Sequence, residues 1–582
     1  MKTKKISYIR VAAACIADCW RAHPPLFIGF IIISALQCAV GAGEIFAMRR
    51  LFDAVAEYMG GAALEHAVVA AVPLAALLAA GPFVSVLEWL AQGYFWRRGS
   101  GYLMARYHER IQHIPLIDFE KADTFDRMKK AQLGTEEAPG VGQSIIPIVF
   151  YSVPYIIFTS VFLAGVKPAL LTALLFIFVS VAFAQILRAG ILRRFEEENA
   201  GLRRQTEYLE RCITGGEYIK ETRAFGAAGY FFGLFTDSMR RFNKAGIKTE
   251  RKIARIELLL RAVNVLGYAG ILALLIYYVT NGAISVGAFA AVFYSVERVG
   301  GVVRGIIEDF GTTLNEINMA SFTYGFIGAK KEAGRADILD KKADICLDDV
   351  SFAYPGGGNV IDGINLVIKN GETLAIVGEN GAGKSTLVKI ITGLYKPDKG
   401  AVRCGGEDIS AYSPKARYRG VSGVFQNFIR YKLTAKENIE ISDVNSKNSA
   451  ERAAYEAGAE LEGGLGIMLS REFGGTELSG GQWQRVAIAR GLYRSYDVIV
   501  LDEPTAAIDP IEETNIFSLF KESASGKTAV LVTHRLGSAK IADRILLMDE
   551  GKICELGTHE QLMAKNGRYA AMYREQASWY NR

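Results

Sequence analysis

The sequence lacks the cysteine spacing of a metal site or a redox centre. Its seven cysteines are scattered through 582 residues, and none forms a C-x-x-C pair; they stand at positions 15, 19, 38, 212, 346, 404 and 554. This distribution predicts reduced thiols with structural roles. Cys15 and Cys19 lie four residues apart on a predicted helix, which favours packing over chemistry.

The N-terminus lacks the apolar core of a cleavable signal peptide, because residues 1–21 are basic and mixed in polarity. Residues 7–23 instead predict a short amphipathic helix that ends at Pro24. We expect Val11, Ile16 and Trp20 to face lipid, with neighbouring lysines and arginines at the headgroups.

Long apolar runs are missing from the second half of the chain but fill the first 310 residues or so. A chain of 582 residues is also too long for a single core. The composition therefore predicts a membrane domain over 1–328, a charged linker over 329–344, and a second domain over 345–582. In that last part short apolar strands alternate with helices, which predicts an α/β fold.

Six segments of the first domain are long and apolar enough to cross a membrane, which takes about 20 residues of helix. They are Leu26–Met48, Val68–Leu90, Ile145–Gly165, Ala169–Leu187, Leu258–Val279 and Ile284–Val303. The loops after the second and fourth segments hold most of the lysines and arginines. Because positive residues stay on the cytoplasmic side, we expect both termini and both loops to be cytoplasmic.

Both inner loops have helical texture and are predicted to continue the spanning helices, turning back at 119–125 and 217–226. The chain carries a net charge of +6. Because the excess sits between apolar runs, it indicates a membrane surface rather than a nucleic-acid partner.

A phosphate-binding loop follows the apolar strand 374–377 and precedes a helix. It fits G-x-x-x-x-G-K-[ST] and comprises Gly378, Glu379, Asn380, Gly381, Ala382, Gly383, Lys384, Ser385 and Thr386. Glycines allow close approach of the backbone, and the helix start offers N–H donors to an anion. Lys384 is expected to bind the β- and γ-phosphates, and Ser385 to hold Mg²⁺.

A second glycine-rich helix start is formed by Leu478, Ser479, Gly480, Gly481 and Gln482. The apolar strand 498–501 follows and ends at an acidic pair. Asp502 is placed to hold Mg²⁺ and Glu503 to polarise an attacking water. Another strand, 529–533, ends at His534, where a histidine can contact the γ-phosphate or the water. Taken alone, each of these residues is explained equally well by a structural role, such as capping the end of a strand, as by a catalytic one.

In this order the segments resemble an ATP-binding cassette (ABC) exporter half-transporter, six membrane helices fused to one nucleotide-binding domain. The resemblance implies ATP and Mg²⁺ as cofactors, Tyr354 stacked on adenine, and Gln426 sensing Mg²⁺. It implies that 478–482 contact the ATP of another subunit. Asp509 matches the aspartate of the family's D-loop, although Ala506 and Ile508 stand where serine and leucine are usual.

The resemblance also implies a dimer and a transported substrate. Because Glu503 and His534 are both present, a homodimer is allowed, and an unlike partner stays open. Residues 220–226 resemble a segment of bacterial exporters, a group that includes peptide and bacteriocin exporters. No peptidase domain precedes the first span, so leader cleavage is not expected. The substrate is expected to be a peptide, a lipid or an amphipathic small molecule.

Glu297 and Arg298 are charges within the sixth predicted span, where charges are costly. They indicate either a substrate cavity or a structural pair between helices. Two other functions also use a nucleotide-binding domain of this kind. A soluble ATPase of repair or translation is disfavoured by the six spans, whereas a membrane ATPase with a signalling or gating role stays open.

Overall fold

The computed structural model describes residues 7–329, 331–337, 339–503 and 510–580. The chain divides into two compact units. The helical unit comprises Met1–Gln112 and Asp126–Ala329, and the α/β unit comprises His113–Phe125 and Lys330–Arg582.

The helical unit is built from long helices, as its apolar runs predict. They are α1 (Tyr8–Ala22), α2 (Pro24–Met59), α3 (Leu64–Ile111), α4 (Ala122–Pro147), α5 (Val153–Val166), α6 (Leu170–Thr214), α7 (Ile219–Ala224), α8 (Ala228–Thr280) and α9 (Val286–Ile327). A single π-helical turn, Ile148–Ser152, joins α4 to α5. Among the described residues, five helical segments are long and apolar enough to span a membrane. They contain five of the six predicted spans; the fourth, Ala169–Leu187, falls on α6, where many side chains lie outside the described residues.

The prediction that the inner loops continue the spanning helices is confirmed. Helices α3, α6 and α8 contain 48, 45 and 53 residues. At 1.5 Å per residue each exceeds the roughly 30 Å of a hydrocarbon core. The chain turns back through a short 3₁₀ helix, Leu116–Glu120, and through α7, at the two predicted tips.

Helix α1 packs against the protein, so the expectation that Val11 faces lipid is wrong. Val11 and Cys15 are each 1% exposed and contact residues of α3, α4 and α9. The physical reason is Asp18, which is buried on the same face. Its carboxylate accepts from Arg106 at 2.6 Å and from the Tyr324 hydroxyl at 3.1 Å, and these bonds hold the helix in place.

Two sheets form the α/β unit. An antiparallel sheet has the order β2 (Asn359–Ile368), β1 (Ile345–Ala353), β4 (Lys399–Cys404), β5 (Glu407–Asp408). The larger sheet has the order β10 (Lys552–Gly557), β9 (Arg544–Asp549), β3 (Thr373–Gly378), β8 (Thr528–Val532), β7 (Val498–Asp502), β6 (Val421–Val424). Every pair in it is parallel except β10 with β9.

The central strands β3, β7 and β8 are buried along their whole length. Their near-continuous apolar sequences are typical of parallel strands covered on both faces. Around them lie α10 (Lys384–Ile391), α11 (Pro414–Tyr418), α12 (Ala435–Glu440), α13 (Ala450–Glu456), α14 (Gly480–Tyr493), α15 (Pro510–Ser523), α16 (Leu536–Ala539), α17 (His559–Lys565) and α18 (Arg568–Tyr580). The carboxyl ends of β3, β7 and β8 therefore meet at one edge, where such sheets bind ligands.

The first tip belongs to the α/β unit. Ile117 packs against the core of that unit, and the Tyr395 hydroxyl donates a hydrogen bond to the carboxylate of Glu120. Burial, and then the hydrogen bond to the Glu120 carboxylate, raise the pKa of the Tyr395 hydroxyl. Residues 113–125, which connect two long helices of the helical unit, are thus a part of the α/β fold.

Candidate functional site

The phosphate loop joins β3 to α10 in the backbone conformation that its glycines permit. Gly378, Gly381 and Gly383 have φ values of 151°, 86° and 96°, a range that side chains with a Cβ rarely adopt. A Cβ on Gly378 would stand 2.3 Å from the carbonyl oxygen of Met548. Gly378 is therefore required for close packing as well as for the turn.

Lys384 begins α10 and is only 6% exposed. Its ammonium donates to the carbonyl oxygens of Gly378 and Glu379, at 3.0 Å each. The carboxylate of Glu503 lies 3.7 Å away. A buried cation held by carbonyls within the loop is positioned to bind phosphate oxygens.

Asp502 ends β7 and is 3% exposed. The Ser385 hydroxyl donates to it at 3.0 Å. Burial raises the pKa of Asp502, although the hydrogen bond from Ser385 acts in the opposite direction. A desolvated carboxylate beside a hydroxyl is a donor set that suits Mg²⁺, which prefers oxygen ligands.

Glu503 follows Asp502 with a φ of 45°, an unusual conformation for a residue other than glycine. The Gln426 side-chain amide donates to its carboxylate at 2.9 Å, and His534 Nδ1 lies 3.8 Å from the other oxygen. His534 and then the charge of Lys384 lower the pKa of Glu503, against the effect of its partial burial. Glu503 is thus ionised and able to accept a proton.

Tyr354 lies beside the phosphate loop. Its hydroxyl is 3.1 Å from that of Thr386, and its ring makes edge contacts with Phe352 and Tyr395 at 5.2 and 6.0 Å. The ring is half-buried. It therefore presents a fixed aromatic face next to the loop, as stacking on a base requires.

The second glycine-rich segment forms the start of α14. Ser479 caps the helix: its hydroxyl accepts from the Gln482 backbone N–H at 3.3 Å, and the Gln482 side chain accepts from the Ser479 N–H at 3.0 Å. Leu478 is buried and anchors the segment, while Ser479 and Gly480 are exposed. A Cβ on Gly480 or Gly481 would meet no atom within 4 Å, so this helix start is open to a partner. Asp509, together with Ala506 and Ile508, lies outside the described residues.

Gln576 is a site residue that the sequence did not reveal. Its amide donates to the His534 carbonyl oxygen at 2.7 Å and accepts from the Leu536 N–H at 2.9 Å. Gln576 lies on α18, 42 positions from His534. A lone glutamine near the C-terminus carries no motif, so only the folded structure could identify it as the residue that holds this loop.

Arg568, also on α18, pairs with the phosphate-loop residue Glu379 at 3.2 Å and with Asp549. The last described helix therefore contacts both the phosphate loop and the loop of His534. No local sequence pattern signalled this role.

In the helical unit, Glu297 and Arg298 differ in environment. Glu297 is exposed, whereas the side chain of Arg298 is 27% exposed and pairs with the buried carboxylate of Glu44. The Tyr294 hydroxyl bonds to both, at 2.5 Å to Glu44 and 2.7 Å to Arg298. Arg298 also reaches a polar cavity of about 630 Å³ within this unit.

Residues 361–506 match the family described as "ABC transporter". The chain is 28% identical over 484 residues to the subtilin transport ATP-binding protein SpaT of Bacillus subtilis, covering 80% of this chain and 78% of that protein. It is 27% identical over 515 residues to the nisin transport ATP-binding protein NisT of Lactococcus lactis, with 84% of each chain covered.

A third relative is the ATP-dependent lipid A-core flippase of Alcanivorax borkumensis, with 28% identity over 394 residues and 66% of each chain covered. The fold resembles that of a bacterial Atm1-family ABC exporter solved with ATP bound. The TM-score is 0.77 at 22% identity, and the match covers 95% of this chain and 98% of that one.

These relatives agree with the features of the chain itself. It has a phosphate loop, an acidic end of β7, and apolar helices in the same chain. The chain is thus similar to ABC exporters: a helical domain with helices long and apolar enough to span a membrane precedes an α/β domain whose residues 361–506 match the ABC transporter family, and this combination is that of an ATPase coupled to transport across a membrane.

Proposed function

We propose that two copies of this chain form an exporter that uses ATP to move a peptide, a lipid or an amphipathic small molecule out across the cytoplasmic membrane. The observation that carries the proposal is the convergence of Lys384, Asp502, Glu503 and His534 at one sheet edge, in a chain that also holds membrane-spanning helices. The positive loops favour a cytoplasmic location for the ATP-binding domain and both termini.

The chemistry follows from the side chains at that edge. ATP lies on the phosphate loop, with Lys384 on the β- and γ-phosphates and Tyr354 against adenine. Glu503 accepts a proton from a water as the water oxygen attacks the γ-phosphorus. The bond to the β,γ-bridging oxygen breaks, giving ADP and phosphate. His534 holds the γ-phosphate, and Gln576 holds the loop of His534.

Magnesium would be held by Ser385 and Asp502, with Gln426 nearby. When bound, it neutralises charge on the phosphate oxygens. The burial of Asp502 supports this assignment, because a cation offsets the cost of a desolvated carboxylate.

The exposed start of α14 supports a site shared by two chains. Gly480 and Gly481 present backbone N–H groups at a helix N-terminus, beside the exposed hydroxyl of Ser479, and this arrangement binds anions. Set against the ATP of a second copy, they would complete its phosphate site. Glu503 and His534 are both present, which favours a homodimer; a different half-transporter is the alternative partner.

The names of the relatives bear on the identity of the substrate. SpaT and NisT are named as transport proteins for subtilin and nisin, and the third relative as a flippase of lipid A-core. Together with the resemblance of residues 220–226 to peptide exporters, these names favour a peptide or a lipid as the substrate. The alternative function is a membrane ATPase that signals or gates without moving a substrate.

The accessibility of the cavity separates these two functions without knowledge of the substrate. Gly305 lines the cavity, and a Cβ there meets no atom within 4 Å. A Gly305→Cys variant free of other cysteines, reconstituted in vesicles, would be treated with a membrane-impermeant maleimide on either side. In the Glu503→Gln background, export predicts labelling from the side of the ATP-binding domain without ATP and from the opposite side with ATP.

Ala63→Cys, in the exposed turn between α2 and α3, is the matched control and should react from the outer side in both conditions. Labelling of Gly305→Cys from the same side with and without ATP would contradict alternating access. It would favour the signalling or gating function.

A further inference from the structure

A polar cavity of about 630 Å³ lies within the helical unit, among α2, α3, α9 and the chain around the π-helical turn. Two carboxylates line it, Glu88 of α3 and Asp309 of α9. Among the described residues that line the cavity, Arg298 is the one cationic side chain. The cavity therefore attracts positive charge.

Arg298 does not cancel this charge, although it reaches the same cavity. Its guanidinium is paired with Glu44, which is 2% exposed, and with the Tyr294 hydroxyl. A buried carboxylate of this kind needs its partner and would not release it to an anionic ligand. The free charge of the cavity is thus that of Glu88 and Asp309.

The hydrogen-bonding groups of the cavity also favour a ligand that donates hydrogen bonds. The side-chain oxygen of Gln37 is buried and has no partner among the described residues. The amide of Gln143 already donates to the Gln92 carbonyl oxygen at 2.6 Å. A buried acceptor without a partner is costly, and an N–H group of a ligand would satisfy it.

A second cavity of about 270 Å³ shares Gln37 and Arg298 with the first. Val40, Leu78 and Val84 give it apolar walls. A ligand that extends from the polar cavity into this one would need an apolar group next to its charged end.

We infer that the two cavities form a binding site for amphipathic cations whose ammonium or guanidinium group lies between Glu88 and Asp309, with its N–H groups toward Gln37. The inference rests on the proposed export function and deepens it, because it assigns the substrate class of that function. Among peptides and small molecules it selects those with a cationic, hydrogen-bond-donating end.

Dansylcadaverine, a fluorescent amphipathic amine, and its neutral N-acetyl derivative test the site as a matched pair. Binding would be followed by fluorescence with the full chain in nanodiscs of zwitterionic lipid, with empty nanodiscs as the background. We expect saturable binding of the amine only. Glu88→Gln and Asp309→Asn should each raise its Kd about tenfold or more, which corresponds to about 1.4 kcal/mol.

Glu308→Gln is the control for charge, since Glu308 is exposed next to Asp309 and does not line the cavity. Its Kd should stay within about twofold of wild type. Gly305→Leu is the control for location: it fills the cavity without changing its charge, and it should weaken binding. Circular dichroism spectra and thermal unfolding midpoints that match those of wild type show that each variant is folded.

Equal binding of the neutral derivative would overturn the inference, and so would an unchanged Kd in both carboxylate variants. Failure of the binding site can be distinguished from failure of the export proposal. Binding that depends on Glu88 and Asp309, with no ATP-driven change in access to Gly305→Cys, would leave the site standing and remove the export function. Alternating access without such binding would do the reverse.

Discussion

Glu44 of α2 and Arg298 of α9 form an ion pair inside the helical unit, 254 positions apart in the sequence. The Tyr294 hydroxyl bonds to both partners, and the Arg298 guanidinium lies 5.9 Å from the centre of the Tyr155 ring. The pair therefore joins three helical segments where apolar side chains supply most of the packing. Its charges are balanced only while both partners are present.

We predict that Glu44→Gln destabilises the helical unit by about 2–3 kcal/mol, because it leaves the arginine without its buried counter-charge. Unfolding in mixed micelles of increasing sodium dodecyl sulfate would measure the effect. The double variant Glu44→Gln with Arg298→Gln should lose less than the sum of the two single variants. Glu257→Gln, which breaks the exposed contact of Glu257 with Arg188 at 3.4 Å, is the control and should cost under about 1 kcal/mol. Additive losses would show that the pair makes no net contribution.

Much of the ATP site was predictable from the sequence, because its motifs are local and each carries its own geometry. The loop at 378–386 requires glycines for its backbone conformation. The end of β7 requires carboxylates for its chemistry. Neither requirement depends on contacts with distant parts of the chain. The role of Gln576 was not predictable, since it depends on contacts between residues far apart in the chain. For the same reason the sequence indicated two roles for Glu297 and Arg298 without choosing between them. Adjacent helical residues differ by about 100° in direction, and only packing decides which one meets Glu44.

Glu503→Gln should reduce ATP hydrolysis by roughly 10²-fold or more, since it removes the proton acceptor and keeps the shape of the side chain. ATP binding should persist, because Lys384 and the loop backbone are unchanged. Steady-state ATPase activity and binding of a fluorescent ATP analogue measure the two effects. Glu472→Gln, an exposed carboxylate paired with Lys432, is the control. Near-normal turnover in Glu503→Gln would remove its assignment as the base.

The pH profile of hydrolysis should depend on His534. The proximity of His534 lowers the pKa of Glu503, so the base is ionised over a wider acidic range. Without the histidine this pKa rises, and the acid limb of activity must move to higher pH. The residual ATPase of His534→Ala, measured beside wild type from about pH 4 to pH 7 at saturating Mg·ATP, tests this, because an ordinary glutamate titrates at about pH 4.3. If the acid limb of His534→Ala moved to lower pH instead, a group other than His534 would govern the ionisation of Glu503.

Gln576 should act on hydrolysis through His534 as a positioning residue. Gln576→Ala removes both backbone contacts of the loop, and we expect kcat to fall about tenfold, or about 1.4 kcal/mol, with little change in KM. Gln576→Glu, which keeps the acceptor for Leu536 but loses the donor to His534, should be intermediate.

A double-variant cycle distinguishes positioning from general stability. In the His534→Ala background, Gln576→Ala should have almost no further effect, because the group that it positions is already absent. An equal loss of kcat in both backgrounds would show that Gln576 does not act through His534.

In the proposed dimer, ATP is bound between two copies of the chain, with Lys384 from one copy and Ser479 from the other. Lys384→Ala and Ser479→Arg should each abolish ATPase activity alone, because every site then contains one damaged half. Mixed dimers, isolated with a different affinity tag on each variant, contain one site with both lesions and one with neither. We predict that they regain a substantial fraction of wild-type ATPase activity, up to about half if the two sites act independently. No activity in the purified mixed dimers would contradict a site shared between like chains.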